Sequence, residues 1–129
     1  MRTKVGVIVG VGLLAALSGP GLAHHSWTAD YDGGRPVTVK GVVSKVEWTN
    51  PHTHFYLDVK NPDGSLKTWN FEMASTLSLE RAGWTRKTLP VGTEVTVTGF
   101  GGRAVMERAI AGSIVTADGK ALFVGKPGQ

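Results

Sequence analysis

The chain contains no cysteine, which removes disulfide bonds, thiolate metal ligands and thiol nucleophiles together. A metal would have to be held by nitrogen and oxygen donors, with the thioethers of Met73 and Met106 as the outside option. Long apolar runs are lacking too. The longest, Val5 to Leu17, covers about thirteen residues, against the roughly 20 that a helix needs to span a bilayer. Charge of one sign is scarce: the formal net charge is +4, without the clustered Lys and Arg of a nucleic-acid surface, so no nucleic-acid partner is expected. The 18 glycines form no phosphate-binding fingerprint, because Gly99, Gly101 and Gly102 follow a strand with no helix after them. Neither a nucleophile elbow nor a paired-carboxylate pattern is visible, and the reading leans away from catalysis.

What is present begins with a secretory signal. Arg2 and Lys4 precede the apolar run, and Ser18-Gly19-Pro20-Gly21-Leu22-Ala23 follows it with small residues at Gly21 and Ala23. Cleavage after Ala23 predicts an exported protein, with the bacterial periplasm as its compartment and no membrane span after processing. It leaves 106 of the 129 residues, with 12 basic against 10 acidic side chains, a formal +2. That is enough for one small domain held by its hydrophobic core alone.

Residues 24–36 lead into this domain, 37–125 form it and 126–129 are expected to fray. Val37 to Trp48 reads as one long strand whose apolar phase shifts, and Gly41-Val42 is the expected site of a bulge or bend. Asn50-Pro51 breaks it. Phe55, Leu57 and Val59 then alternate with His54, Tyr56 and Asp58, and Asn61-Pro62-Asp63-Gly64 is a turn. Trp69, Phe71 and Met73 alternate with Thr68, Asn70 and Glu72. Matching the apolar faces sets Leu57 against Trp69, Phe55 against Phe71, and His54 against Glu72 on the outer face. Ala74 to Ala82 predicts a short helix capped by Ser75 and stopped by Gly83. Strands over Glu94 to Phe100, Met106 to Thr116 and Ala121 to Val124 complete the chain. The order predicts an all-β fold with one short helix, a five-stranded OB-fold-like β-barrel.

Several stretches carry a resemblance: Ala23-His24-His25-Ser26-Trp27, Val39-Lys40-Gly41, Glu47-Trp48-Thr49-Asn50-Pro51-His52, Trp69-Asn70-Phe71-Glu72, Leu79 to Trp84, Gly92 to Thr98 and Asp118-Gly119-Lys120. Over essentially the whole mature chain it resembles a family of exported bacterial proteins, domain of unknown function 6152. The resemblance implies a secreted single-domain protein and brings no activity with it.

All four histidines fall in two stretches, His24-His25 and His52-Thr53-His54. Cleavage after Ala23 would give His24 a free α-amine, and an amine with its own imidazole chelates copper, nickel or zinc. The three-residue copper-nickel motif requires histidine at mature position three, where Ser26 stands. His52 and His54, two residues apart on one face of an extended segment, have Cα atoms roughly 6.5 to 7 Å apart. Folding the terminus over them would build a three-nitrogen histidine brace, with Glu72 orienting His54 or ligating directly. The candidate metal residues are therefore His24, His25, His52, His54 and Glu72, with copper favoured.

The alternative is a non-metal ligand-binding or adaptor module of the cell envelope, using a face of Tyr56, Asn50 and Asn70 for a small ligand or envelope protein. Trp48 and Trp69 fall on apolar phases and are assigned to the core, Trp27 and Tyr31 staple the leading segment to the domain, and Arg103, Glu107 and Arg108 form a solvated face.

Overall fold

The computed structural model describes residues 27–122 and Val124. The elements are α1 (Trp27–Asp30), β1 (Tyr31–Glu47), β2 (His54–Lys60), β3 (Leu66–Glu72), α2 (Thr76–Arg81), β4 (Glu94–Gly102), β5 (Arg108–Thr116) and β6 (Ala121–Leu122). β1 pairs antiparallel with both β2 and β4, β2 with β3, and β4 with β5, while a parallel pairing of β3 with β5 closes the circuit. Five strands in a closed sheet, with a helix between the third and fourth, is the OB-type arrangement expected from the sequence. β6 adds a short hairpin strand to β5.

β1 is long enough to serve both halves of the sheet. Its phase shift is real, but the irregularity falls between Val43 and Lys45 rather than at Gly41-Val42. The extra residue there, Ser44, lets Val43 face Leu57 and Val46 face Phe55, so both valines turn to the same interior. Gly41 serves a different purpose. A Cβ at that position would stand 2.7 Å from the Asp58 carbonyl oxygen, so only glycine lets the β2 backbone come this close.

The β2–β3 register is the one that face-matching predicts, with Leu57 opposite Trp69, Phe55 opposite Phe71 and His54 opposite Glu72. Phe55, Leu57, Phe71, Val97 and Ile114 are fully buried at the centre of the core, and Trp48 and Trp69 pack half-buried against it. α2 is shorter than the predicted Ala74–Ala82 helix. The Ser75 hydroxyl accepts from the Ser78 N–H as its cap, and Gly83 follows at φ +90°. Met73 and Ala74 stay extended because Thr53 brackets them: Thr53 N–H donates to the Ala74 carbonyl, and Met73 N–H to that of Thr53.

The N-terminal end departs most from expectation. β1 begins at Tyr31, six residues before Val37, and a second short helix, α1, precedes it. This segment is fastened by the stack of Trp27 on Phe100, with centroids 5.4 Å apart, and by Arg103, which donates to the carbonyls of Thr28 and Asp30. Stapling by Trp27 and Tyr31 is therefore observed, and Tyr31 is wholly buried.

Candidate functional site

The site lies on the outer face of the sheet where β3 meets β5. Opposed residues in a ladder share a face, and His54, Glu72, Ile110 and Phe100 form one such row across β2, β3, β5 and β4. Trp27 covers the Phe100 end of this row. Ile110 is only 5 % exposed yet stands apart from the main core cluster. An outward-facing row is thus partly covered by the N-terminal segment, which changes the chemistry available to its polar members.

Glu72 is the clearest case. Strand parity puts it outside, as the sequence predicts, but it is 7 % exposed rather than a surface residue. A carboxylate taken this far from water needs donors on both oxygens, and it has them. Oε2 accepts from the Tyr31 hydroxyl at 2.5 Å and from Arg108 Nη2 at 3.1 Å, while Oε1 meets His52 Nδ1 at 2.7 Å. Arg108 Nε also donates to the Tyr31 oxygen at 3.1 Å, which closes a triangle of Tyr31, Glu72 and Arg108.

Burial, together with the Glu72 carboxylate its proton bonds, pushes the Tyr31 phenol far above its ordinary value. Burial works against the charge on Arg108, but Tyr31 and Glu72 outweigh it and hold the guanidinium above its usual value.

His52 and His54 flank the inward Thr53, and each is half-buried. Both rings are steered from β3. His52 Nδ1 stands 2.7 Å from Glu72 Oε1, and His54 Nδ1 lies 3.0 Å from Asn70 Oδ1, where the ring N–H must be the donor because an amide oxygen only accepts. Among the described residues nothing hydrogen-bonds to Nε2 of either ring. The expected partnership of Glu72 with His54 is therefore corrected. Although those two residues are opposed in the ladder, Glu72 takes His52, the histidine just beyond the strand end, and Asn70 takes His54.

The other expected residues divide. Tyr56 is opposite Asn70, on the same face, but its hydroxyl donates to Glu47 Oε2 at 3.3 Å and Lys45 Nζ stands 5.3 Å from its ring centroid. Asn50 does not join them: its Oδ1 accepts from the Thr76 N–H and hydroxyl at the start of α2. His24, His25 and the expected signal segment, residues 1–23, lie outside the described residues. Among the described residues no three His, Asp or Glu side chains are grouped to hold a metal ion. No helix among them is long and apolar enough to cross a membrane.

Two members of the cluster were missed from sequence. Tyr31 reads as a staple only, and Arg108 as part of a solvated face, whereas the guanidinium is half-buried against Glu72 and lies 5.4 Å from the Tyr31 ring centroid. The signal that could have found Arg108 is the closure itself, because the parallel β3–β5 pairing sets Arg108 beside Asn70.

Residues 11–110 match the profile of DUF6152, a family of unknown function. The chain belongs to the DUF6152 family. The matched span contains both histidine stretches and all of Tyr31, Glu72 and Arg108. No curated protein matches the chain significantly. Among solved structures it is similar to the mitochondrial single-stranded DNA binding protein Rim1 of S. cerevisiae, with a TM-score of 0.49 and 11% identity, over 68% of this chain and 95% of that one.

Proposed function

We propose that this DUF6152 protein is a small exported binding protein of the bacterial cell envelope. In this reading it holds a divalent metal, copper foremost, through the imidazoles of His52 and His54 and the amine and imidazole of a processed His24. The observation that carries the reading is that His52 and His54, two residues apart, each have Nδ1 engaged by a β3 side chain, His52 by Glu72 and His54 by Asn70, while among the described residues nothing hydrogen-bonds to either Nε2. A ligating imidazole ordinarily has its second nitrogen engaged in this way. Two imidazoles are too few to close a site, which is why the reading needs the terminus.

Strand geometry bounds its reach. Phe100, on which Trp27 stacks, is three strand spacings from His54 along the shared row, about 14 Å. His24 is three residues before Trp27, a tether of at most about 11 Å. The tether is about 3 Å shorter than that span, a difference that the side chains of His24 and His54 would themselves have to bridge.

Copper titration by competition with a chelator of known affinity tests this on protein that begins at His24, on the same protein with one residue added before His24, and on His52→Ala. The expected result is a loss of at least tenfold in both altered forms. Equal affinities for the processed and extended proteins would sink the terminal site. Equal affinities for the processed protein and His52→Ala would leave the adaptor reading as the one to pursue.

A further inference from the structure

We propose that the groove between the β1–β2 loop and the loop that follows α2 binds an acidic saccharide, a short pyranose chain carrying carboxylates. The groove has a volume of about 560 Å³, opens to solvent along one side and is lined by Trp48, Glu80, Trp84, Thr85, Arg86 and Lys87. That is the size of a small-ligand site. It shares no residue with the cluster around Glu72, so it stands apart from the metal reading.

Both walls are fastened to α2. Asn50 Oδ1 accepts from the Thr76 N–H and hydroxyl, which ties the loop carrying Trp48 to the start of the helix. At the other end the Trp84 N–H donates to the Leu79 carbonyl. Residues 85–88 then close a turn: the Thr88 N–H donates to the Thr85 carbonyl, the Thr85 N–H to Thr88 Oγ1 and the Lys87 N–H to Thr85 Oγ1. Arg86 and Lys87 hold the two central positions of this turn. Their backbone is set before any ligand arrives, which lowers the ordering cost of binding.

The lining then selects the ligand. Trp48 packs half-buried against the core and lends the rest of its indole to the groove. The Trp84 indole N–H has no hydrogen-bond partner among the described residues, yet Thr53 Oγ1 is the one side-chain polar atom among them that is both unpartnered and cut off from solvent. The indole N–H therefore reaches solvent and is open to a ligand. Among the described residues the side chains of Arg86, Lys87 and Glu80 make no ion pair or hydrogen bond. Two cations against one carboxylate leave the groove net positive, which favours an anion, and both cations suit a carboxylate. A flat aromatic acid would satisfy the cations and Trp48 but bring no donor to Glu80. A pyranose with a carboxylate brings a C–H face for the indole and hydroxyls that donate to Glu80.

The test titrates the protein, in EDTA and at low salt, with digalacturonic acid, with its dimethyl ester, which lacks the charge, and with naphthoate, which has charge and a flat ring but no hydroxyls. The readout is the indole N–H signals of Trp48 and Trp84 in heteronuclear NMR spectra. Digalacturonic acid should shift both signals and bind tighter than either comparison ligand by about tenfold or more, the scale of one hydrogen bond to a charged group. Arg86→Gln combined with Lys87→Gln, both exposed positions, should lose about as much and erase the preference over the ester, and added salt should weaken the wild type in the same direction. Trp48→Phe and Glu80→Gln should each lose severalfold. Equal binding of the ester, or naphthoate as tight as the saccharide, would overturn the acidic-saccharide assignment. So would Glu80→Gln that binds tighter, since Glu80 would then only repel the anion, and so would indole signals that digalacturonic acid leaves unmoved.

Discussion

Replacing Tyr31 with phenylalanine isolates one oxygen atom. The ring is fully buried and remains, so apolar contact is conserved and what disappears is a hydroxyl that donates to Glu72 at 2.5 Å and accepts from Arg108 at 3.1 Å. Glu72 keeps Arg108 Nη2 and His52, so its carboxylate is not stranded. Two hydrogen bonds to charged groups are lost; the half-exposed Arg108 can turn its Nε–H to water, so the net cost is that of the bond to Glu72, about 1.5 to 3 kcal/mol. In a domain of this length each kcal/mol is worth roughly 4 to 8 °C, so a loss of about 2 kcal/mol lowers the melting temperature by roughly 8 to 16 °C. Urea unfolding followed by tryptophan fluorescence, without added metal, should show a lower midpoint at unchanged slope, since the area exposed on unfolding is the same. Because the phenol and the carboxylate share a proton contact, the double variant with Glu72→Gln should be non-additive by about 1 kcal/mol or more. A change below about 0.5 kcal/mol, the scale of an ordinary surface substitution, or strict additivity, would refute the network.

The same phenol governs the alkaline limb of the stability curve. In the unfolded chain tyrosine ionises near pH 10, and the buried Tyr31 holds its proton well above that. The folded state therefore binds the extra proton: its contribution is complete below about pH 10 and is lost as pH rises beyond it, with a slope approaching about 1.4 kcal/mol per pH unit that Tyr31→Phe should remove from urea midpoints measured against pH. Gly99→Ala should cost at least about 1 to 3 kcal/mol of overpacking, because a Cβ there would lie 1.9 Å from the Ile110 carbonyl oxygen, whereas Gly64→Ala, at φ +86° with open space around it, should cost only about 1 to 2 kcal/mol of backbone strain. Thermal denaturation ranks the pair, and a Gly64 variant as unstable as the Gly99 variant would contradict the packing argument. Leu79→Ala, in the one fully buried position of α2, should lose about 2 to 5 kcal/mol, and retention of wild-type stability would show that the helix does not plug the core.

Much of the fold was legible because β-sheet periodicity is two and the core is apolar. Once Phe55, Leu57, Phe71 and Trp69 must face inward together, the β2–β3 register has no freedom, and His54 must oppose Glu72. The position of the β1 bulge was less legible. Glycine marks either a bulge or a close backbone approach, and Gly41 serves the second purpose while the phase slip occurs at Ser44. α1 was invisible, since four residues carry no helical period.

The candidate site was half legible for a deeper reason. Alternation assigns a residue to a face of its sheet but not to water, and these differ wherever a distant segment lies across that face. Glu72, outward by parity and 7 % exposed in fact, is such a position: what buries it is Tyr31, 41 residues earlier, and what neutralises it is Arg108, 36 residues later. No local window contains the three together. A glutamate between phenylalanine and methionine on a strand reads as the ordinary polar half of an alternation, and a lone arginine opening a later strand reads as solvated. Closure of the sheet changes both readings, because pairing β3 with β5 brings the acid and the base onto one face and leaves the acid no water to answer. The side chains gathered around Glu72 were therefore recoverable only after the topology. The histidines themselves stood out from the start because they are few and grouped, and grouping is a property that sequence records directly.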